Sequence, residues 1–255
     1  MAGREKRAGR RLTGLRLELL EPEQSAWDCS LGRVWNDVYH GAGYHRFCQV
    51  RDAGRAQLVV VRDGEQGMVW PYLLRSISGI DGLADTTGMD VHSVYGYPGP
   101  LAWGCVPGDP FLQHAWQEVV EHWRHQGVVS AFTRFHPLLG NAAIAATFPP
   151  GRGATEAPGV HQLGETVSID LLLSEEDATA QYHRNTRYEI ARARRAGLVS
   201  HVDPAWSFEK TFVKLYGDTM RRANATASYE LSSTDLGRLR VELGSADPLD
   251  GDQDG

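Results

Sequence analysis

Between Glu165 and Gly197 the chain reads ETVSIDLLLSEEDATAQYHRNTRYEIARARRAG, and no other run constrains the fold as strongly. It opens with alternation. Val167, Ile169 and Leu171 fall on one side and Thr166, Ser168 and Asp170 on the other, which is the period of a half-buried strand. Ser174 with Asp177 has the spacing of a helix N-cap and its reciprocal acidic partner. No Pro or Gly follows until Gly197, which stands where a C-cap belongs, so one long helix is expected from 174 to 197. On a helical wheel Tyr182, Thr186, Ile190 and Ala193 share one side. Arg184, Arg187, Tyr188, Ala191 and Arg195 take the other, flanked by His183, Arg192 and Arg194. Five arginines and one glutamate lie between His183 and Arg195, with no lysine. A solvated charged face is the plain alternative. The consistent choice of guanidinium, a planar fork matched to phosphate, points instead to an anion-facing wall for a diphosphate or a nucleic-acid backbone.

The remaining composition sets outer limits. A chain of 255 residues suffices for one large domain or two small ones, and a net charge of −6 excludes bulk coating of nucleic acid while allowing a local basic groove. No apolar run approaches the roughly 20 residues a membrane span requires. The basic start MAGREKRAGRR lacks a hydrophobic stretch behind it, so residues 1–14 are expected to form a disordered arm rather than a signal. Cys29, Cys48 and Cys105 have no metal-like spacing and are expected to be buried or free thiols in a reducing cytoplasm.

Taken in order, Leu15–Leu20 reads as a strand and Pro22 opens a helix through Val34. Trp35–Gln49, rich in aromatics and histidines and carrying Gly41 and Gly43, reads as a loop or broken helix. Trp35, Tyr39, Tyr44 and Phe47 could cover the cleft or form core, and core is the expectation. Gln57–Arg62 and Met68–Ile77 form a hairpin about DGEQG, with Pro71 marking a bulge or edge. Val91–Tyr97 is a strand leading into YGYPGPLAWG. Asp109-Pro110 starts an amphipathic helix that ends at Gly127. Val128–Phe135 is a buried strand, Leu138–Phe148 a short helix, and Val160–Leu163 with Thr166–Leu171 a closing strand pair. This order is α/β with a mixed central sheet, and it resembles the GNAT (Gcn5-related acyltransferase) fold. Open sheets of this kind place ligands where the strand order breaks, here beside the YGYPGP loop. After the arginine helix the pattern restarts: a strand at Leu198–Val202, a helix at Trp206–Arg222, another at Ser232–Leu243. The expectation is a first domain at 15–173, then a connecting helix and an incomplete second GNAT-like repeat at 174–244. An acidic disordered tail follows at 245–255. The final helices would belong to a truncated product or pack onto something outside the chain.

Five stretches together carry a family likeness: Tyr95–Pro100, Arg134–Leu138, Thr166–Leu171, Arg184–Ile190 with Ala193 and Gly197, and Leu215–Met220. In order and spacing they resemble the Fem (FemABX) family of aminoacyltransferases, built of two tandem GNAT-like domains. The resemblance spans roughly Leu15 to Leu243. It implies transfer of an amino acid from aminoacyl-tRNA to an amine acceptor, a nucleotide-sugar or lipid-linked peptide of peptidoglycan biosynthesis or a related natural product. It implies neither cofactor nor metal. It further implies that Arg187, with Arg184 and Arg192, faces the acceptor's diphosphate. Tyr95, Tyr97 and Gly99 would line the acceptor cleft, and Tyr216 and Arg221 would lie where the second domain meets the first. The chain departs from the family at Leu101-Ala102-Trp103, where many members carry an acidic residue.

Aminolysis of an ester needs a neutral amine, a held carbonyl and a stabilised oxyanion, but no enzyme nucleophile. The absence of a Ser-His-Asp or Cys-His signature fits that chemistry. His136 and Asp170 are the candidate bases. Each has a structural alternative, and no catalytic residue is assigned from sequence. Two other readings are open. One is an acetyl-CoA-dependent N-acetyltransferase, disfavoured because Tyr97–Gly108 contains prolines where backbone N–H groups would hold a pyrophosphate. The other is an inactive remnant that binds a partner through exposed Phe208, Phe212 and Leu215.

Overall fold

The computed structural model describes residues 14–150, 159–226 and 229–244. It contains two compact units, one formed by the chain up to residue 161 together with residues from 237 on, the other by residues 162–236. The first unit runs β1 (Arg16–Leu20), α1 (Ala26–Leu31), a 3-10 turn (Val38–His40), α2 (Ala42–Arg51), β2 (Arg55–Asp63) and β3 (Gln66–Ser76). It continues with β4 (Met89–His92), β5 (Leu101–Trp103), α3 (Pro110–His125), β6 (Val128–Phe132) and α4 (Asn141–Ala145). The strands form one mixed, open sheet in the order β1-β2-β3-β4-β6, with β5 also on β3. All pairings are antiparallel except β4 with β6. The class is α/β.

The sequence accounts for the layers. Gly64 and Glu65 form the two-residue turn between Asp63 and Gln66, so β3 pairs with the whole of β2. Their apolar runs are buried on both faces, as strands covered on two sides require. Val59, Val61, Met68, Trp70 and Tyr72 pack with Phe111, Leu112, Ala115, Trp116, Val119 and Trp123 of α3. Leu58, Val60, Val69 and Leu73 pack on the opposite side with Trp27, Leu31, Phe47 and Cys48. Each large apolar side chain fully withdrawn from water contributes about 1.5–3 kcal/mol. The start of α3 is fixed by Pro110 and by the Asp109 carboxylate, which accepts the Phe111 N–H at 2.8 Å.

One feature of the sheet positions the site. Gly67–Val69 of β3 pair with β5, and Leu73–Ser76 pair with β4. On that side Trp70, Pro71 and Tyr72 have no ladder partner, and Pro71 has no N–H to leave unpaired. The chain leaves β4, loops through residues 93–100, and rejoins β3 as β5 beyond this gap. Pro71 therefore marks a break in one ladder, not an edge strand.

Several expectations fail. Val160–Leu163 and Thr166–Leu171 form no strands. Val167 and Leu171 are 96% and 89% exposed, and no strand among the described residues pairs with them. Alternation makes a strand only where a neighbour offers its N–H and C=O groups. Residues 198–202 are likewise not a strand, and β4 ends at His92 rather than Tyr97. β6 is shorter than expected and largely exposed rather than buried, with Val129 66% and Phe132 45% accessible. Trp35, expected in the core, is exposed. The long helix is two, α5 (Glu175–Ala180) and α6 (Arg184–Arg195). His183 leaves helical geometry and its Nδ1 accepts the Asn185 N–H at 3.3 Å, starting α6 afresh. α7 (Glu209–Arg222) begins after Trp206, and α8 is Ser233–Leu243. The end of α8 does not pack outside the chain: Leu239 joins the α1–α2 side of the core and Glu242 lies 2.5 Å from Arg46. The expected basic arm, apart from Gly14, and the acidic tail lie outside the described residues.

Candidate functional site

Tyr95–Pro100 lies in the connection between β4 and β5, the two strands on either side of this gap, and two glycines determine how it packs. Gly96 has φ 129°, a conformation side chains rarely adopt, and the Tyr39 ring lies where its Cβ would be. Gly99 donates its N–H to the Arg134 carbonyl at 3.2 Å. A Cβ on Gly99 would overlap the Asn141 amide. Asn141 is fully buried, and its Oδ1 accepts the His136 N–H at 2.8 Å. The loop, Asn141 and His136 thus form one packed chain of contacts.

His136 extends the chain to a carboxylate. The Leu138 N–H donates to its Nδ1 at 3.1 Å, which leaves Nε2–H as the donor to Asp37 Oδ2 at 3.0 Å. Both ring nitrogens are occupied, so His136 positions Asp37 and has no nitrogen to spare as a base. Asp37 precedes the 3-10 turn, and its side chain is 35% accessible. Rings surround it. Tyr39 meets Tyr97 edge-on at 5.9 Å and Tyr44 at 5.5 Å, and Tyr97 meets His136 edge-on at 6.1 Å. The Tyr44 hydroxyl donates to the Tyr95 carbonyl at 2.8 Å. Tyr95 is 63% and Tyr97 38% exposed.

Protonation follows from burial. Desolvation, then Asp37, Tyr97 and Tyr95, raise the Tyr39 pKa, so this phenol stays a hydrogen-bond donor. Burial is the main cause that pushes Cys48 up to about 12, which removes it as a nucleophile. It also lowers His40 to about 4, leaving a neutral imidazole beneath the site.

The sequence-derived residues Tyr95, Tyr97 and Gly99 share this one segment. Asp37 and Asn141 join them and were missed, while Tyr39, placed in the core from sequence with cleft cover as the alternative, packs against Gly96 and Tyr97. Asp37 and Tyr39 lie in the aromatic segment 35–49, where density of rings was visible but the partner across the fold was not. Asn141 gave no signal. Asp170 lies in the second unit, exposed, with its Oδ1 accepting the Leu172 N–H at 2.9 Å in a local turn.

In the second unit the arginines of α6 are exposed, and the unit buries none of that helix. Arg192 pairs with Glu189 at 3.2 Å and Arg194 with Glu175 at 2.6 Å. Among the described residues Arg184 and Arg195 make no ion pair. Arg187 and Arg194 line a shallow hollow of about 510 Å³ whose wall also carries Glu175 and Glu176, so both signs of charge are present. Arg221 pairs with Asp218, and both border a second hollow with Leu215 and Arg222. Tyr216 stacks on Phe212 at 5.9 Å.

Comparison with protein-family models, curated proteins and solved structures found no match. The chemistry therefore has to be read from the residues. A hollow of about 460 Å³ beside β1 and β2 holds Arg16, Glu18, Arg62 and Asp63, and its balanced charges favour no ligand class. The Asp37 cluster differs. It combines one carboxylate held by a histidine with three partly or largely exposed tyrosines, all drawn from segments far apart in sequence.

Proposed function

We propose that the protein is a GNAT-like, Fem-type aminoacyltransferase of the cytoplasm. It moves an amino acid from aminoacyl-tRNA to an amine on a peptidoglycan-precursor peptide or a related natural product. The observation that carries this reading is the His136-held Asp37 carboxylate beside Tyr39 and Tyr97, a polar, partly shielded place for an amine to approach an ester. Aminolysis asks for orientation and a deprotonated amine rather than an enzyme nucleophile, which agrees with a site that offers a carboxylate and phenols but no thiolate. Arg184, Arg187 and Arg192 give the second unit an anion-facing helix for the polyphosphate or nucleic-acid part of a substrate, with Tyr216 and Arg221 nearby in sequence on α7.

Coenzyme A fits less well. The N-terminus of α3, where a pyrophosphate would draw on the helix dipole, is occupied by the Asp109 carboxylate, which also lies 3.3 Å from the Gln66 amide nitrogen. A pyrophosphate there would meet like charge. A second reading, a partner-binding protein, is favoured by α7, where Phe208, Phe212 and Leu215 are 55%, 49% and 59% exposed.

The test is incubation of the protein with a tRNA pool charged with labelled amino acids and a nucleotide-sugar peptide. Label transferred to the peptide supports the proposal. No transfer from any amino acid, to that peptide or to a panel of small amines, overturns it.

A further inference from the structure

We infer that Asp37, Tyr39, Tyr95 and Tyr97 form a binding site for an organic primary ammonium group. The transferase reading is used here only to name the natural occupant, the acceptor's amine. Three observations lead to this ligand class. Asp37 is held by a neutral imidazole donor at 3.0 Å, and among the described residues no arginine or lysine pairs with it. Its charge is thus oriented but not cancelled, and its side chain remains 35% accessible. Tyr39 meets Tyr97 edge-on at 5.9 Å and Tyr97 meets His136 edge-on at 6.1 Å, so aromatic rings adjoin the pair that holds the carboxylate. Aromatic faces attract weakly hydrated organic cations.

The same inventory argues against an inorganic cation. Calcium and magnesium take six or more oxygen ligands, several of them carboxylates, and no group of three His, Cys, Asp or Glu converges among the described residues. One carboxylate with aromatic walls suits instead an –NH3+ group, which can give one N–H to Asp37 and set its charge and methylene stem against the rings. The supporting contacts fix the site before any ligand arrives: Gly99 against Asn141, Asn141 to the His136 backbone, and His136 to Asp37. Such preorganisation removes part of the ordering cost of binding.

The experiment uses the full chain with ring-labelled tyrosine and follows the tyrosine NMR signals during titration with n-hexylammonium chloride, with n-hexanol as the uncharged control. Hexylammonium, and not hexanol, is expected to shift the signals of Tyr39 and Tyr97 while leaving Tyr216 unmoved. Asp37→Asn, which keeps the shape and can still accept from His136, should weaken binding at least tenfold. Tyr97→Leu, at an exposed position, should weaken it severalfold, which guards against a folding defect in the first variant. Equal shifts by hexanol, or undiminished binding by both variants, would overturn the inference. The outcome is separable from aminoacyl transfer. Hexylammonium binding through Asp37 without transfer leaves this site standing and removes the proposed function. Transfer with an unchanged acceptor KM in Asp37→Asn removes this site alone.

Discussion

At the scale of single residues, the strongest constraint on the candidate site is a side chain pressed against a glycine. Asn141 fills the space a Cβ on Gly99 would need and holds the backbone that carries His136. Gly99→Ala should destabilise the protein by about 1–3 kcal/mol in urea unfolding, since the interior must move to admit the methyl. Asn141→Ala should cost a similar ~1–3 kcal/mol by leaving the buried His136 N–H without an acceptor. Because both act on the same contact, the double variant should lose less than the sum. Acid should act through two other residues. His40 and His45 have folded pKa values of about 4 and about 3 against an ordinary 6.5, burial being the main cause in both. The unfolded chain therefore takes up protons that the folded chain refuses as pH falls below 6.5. These two groups should together lower stability as pH falls below 6.5, each by up to about 1.4 kcal/mol per pH unit. Urea midpoints at pH 7, 6 and 5 check this, and replacing His45 with Leu should make the slope shallower.

At the scale of elements, what was legible was what local chemistry decides. The two-residue turn at Gly64-Glu65, the Asp109-Pro110 start of α3 and the apolar runs of β2 and β3 carry their instructions within a few residues. The alternation at Thr166–Leu171 carried an equally clear local signal and still produced no strand, because pairing depends on a neighbour that alternation cannot supply. The continuous helix expected from Ser174 to Gly197 was broken by His183, whose imidazole caps a new helix in a way that no breaker residue announces. The Tyr95–Pro100 loop was singled out from sequence, but Asp37, which reaches its neighbourhood through His136, lies some sixty positions earlier and only the fold brings them near. For α6 the exposure of its arginines sets the expected magnitude. A guanidinium in water gains little from a single contact. Arg187→Ala should therefore weaken pyrophosphate binding by about tenfold at most, and the difference should vanish at high salt, as titration calorimetry at two ionic strengths would show.

At the scale of the whole molecule, the first unit has a two-sided core and the second has little. α5, α6 and α7 bury no residue, and Leu163, Leu172 and Val199 are at least 85% exposed. Limited chymotrypsin digestion should cut first between Leu163 and Leu172, where backbone and side chains are open, and the product ending near residue 161 should outlast the remainder. A different order of cleavage would mean that residues 162–236 are covered in solution. The functional account turns on which donor this molecule accepts. The most direct measurement presents one amine acceptor with aminoacyl-tRNA and acetyl-CoA together and records the acceptor's mass. A gain equal to an amino-acid residue, unaffected by omitting acetyl-CoA, is the result expected. A gain equal to an acetyl group, with the tRNA still fully charged beyond its spontaneous hydrolysis, would contradict the account.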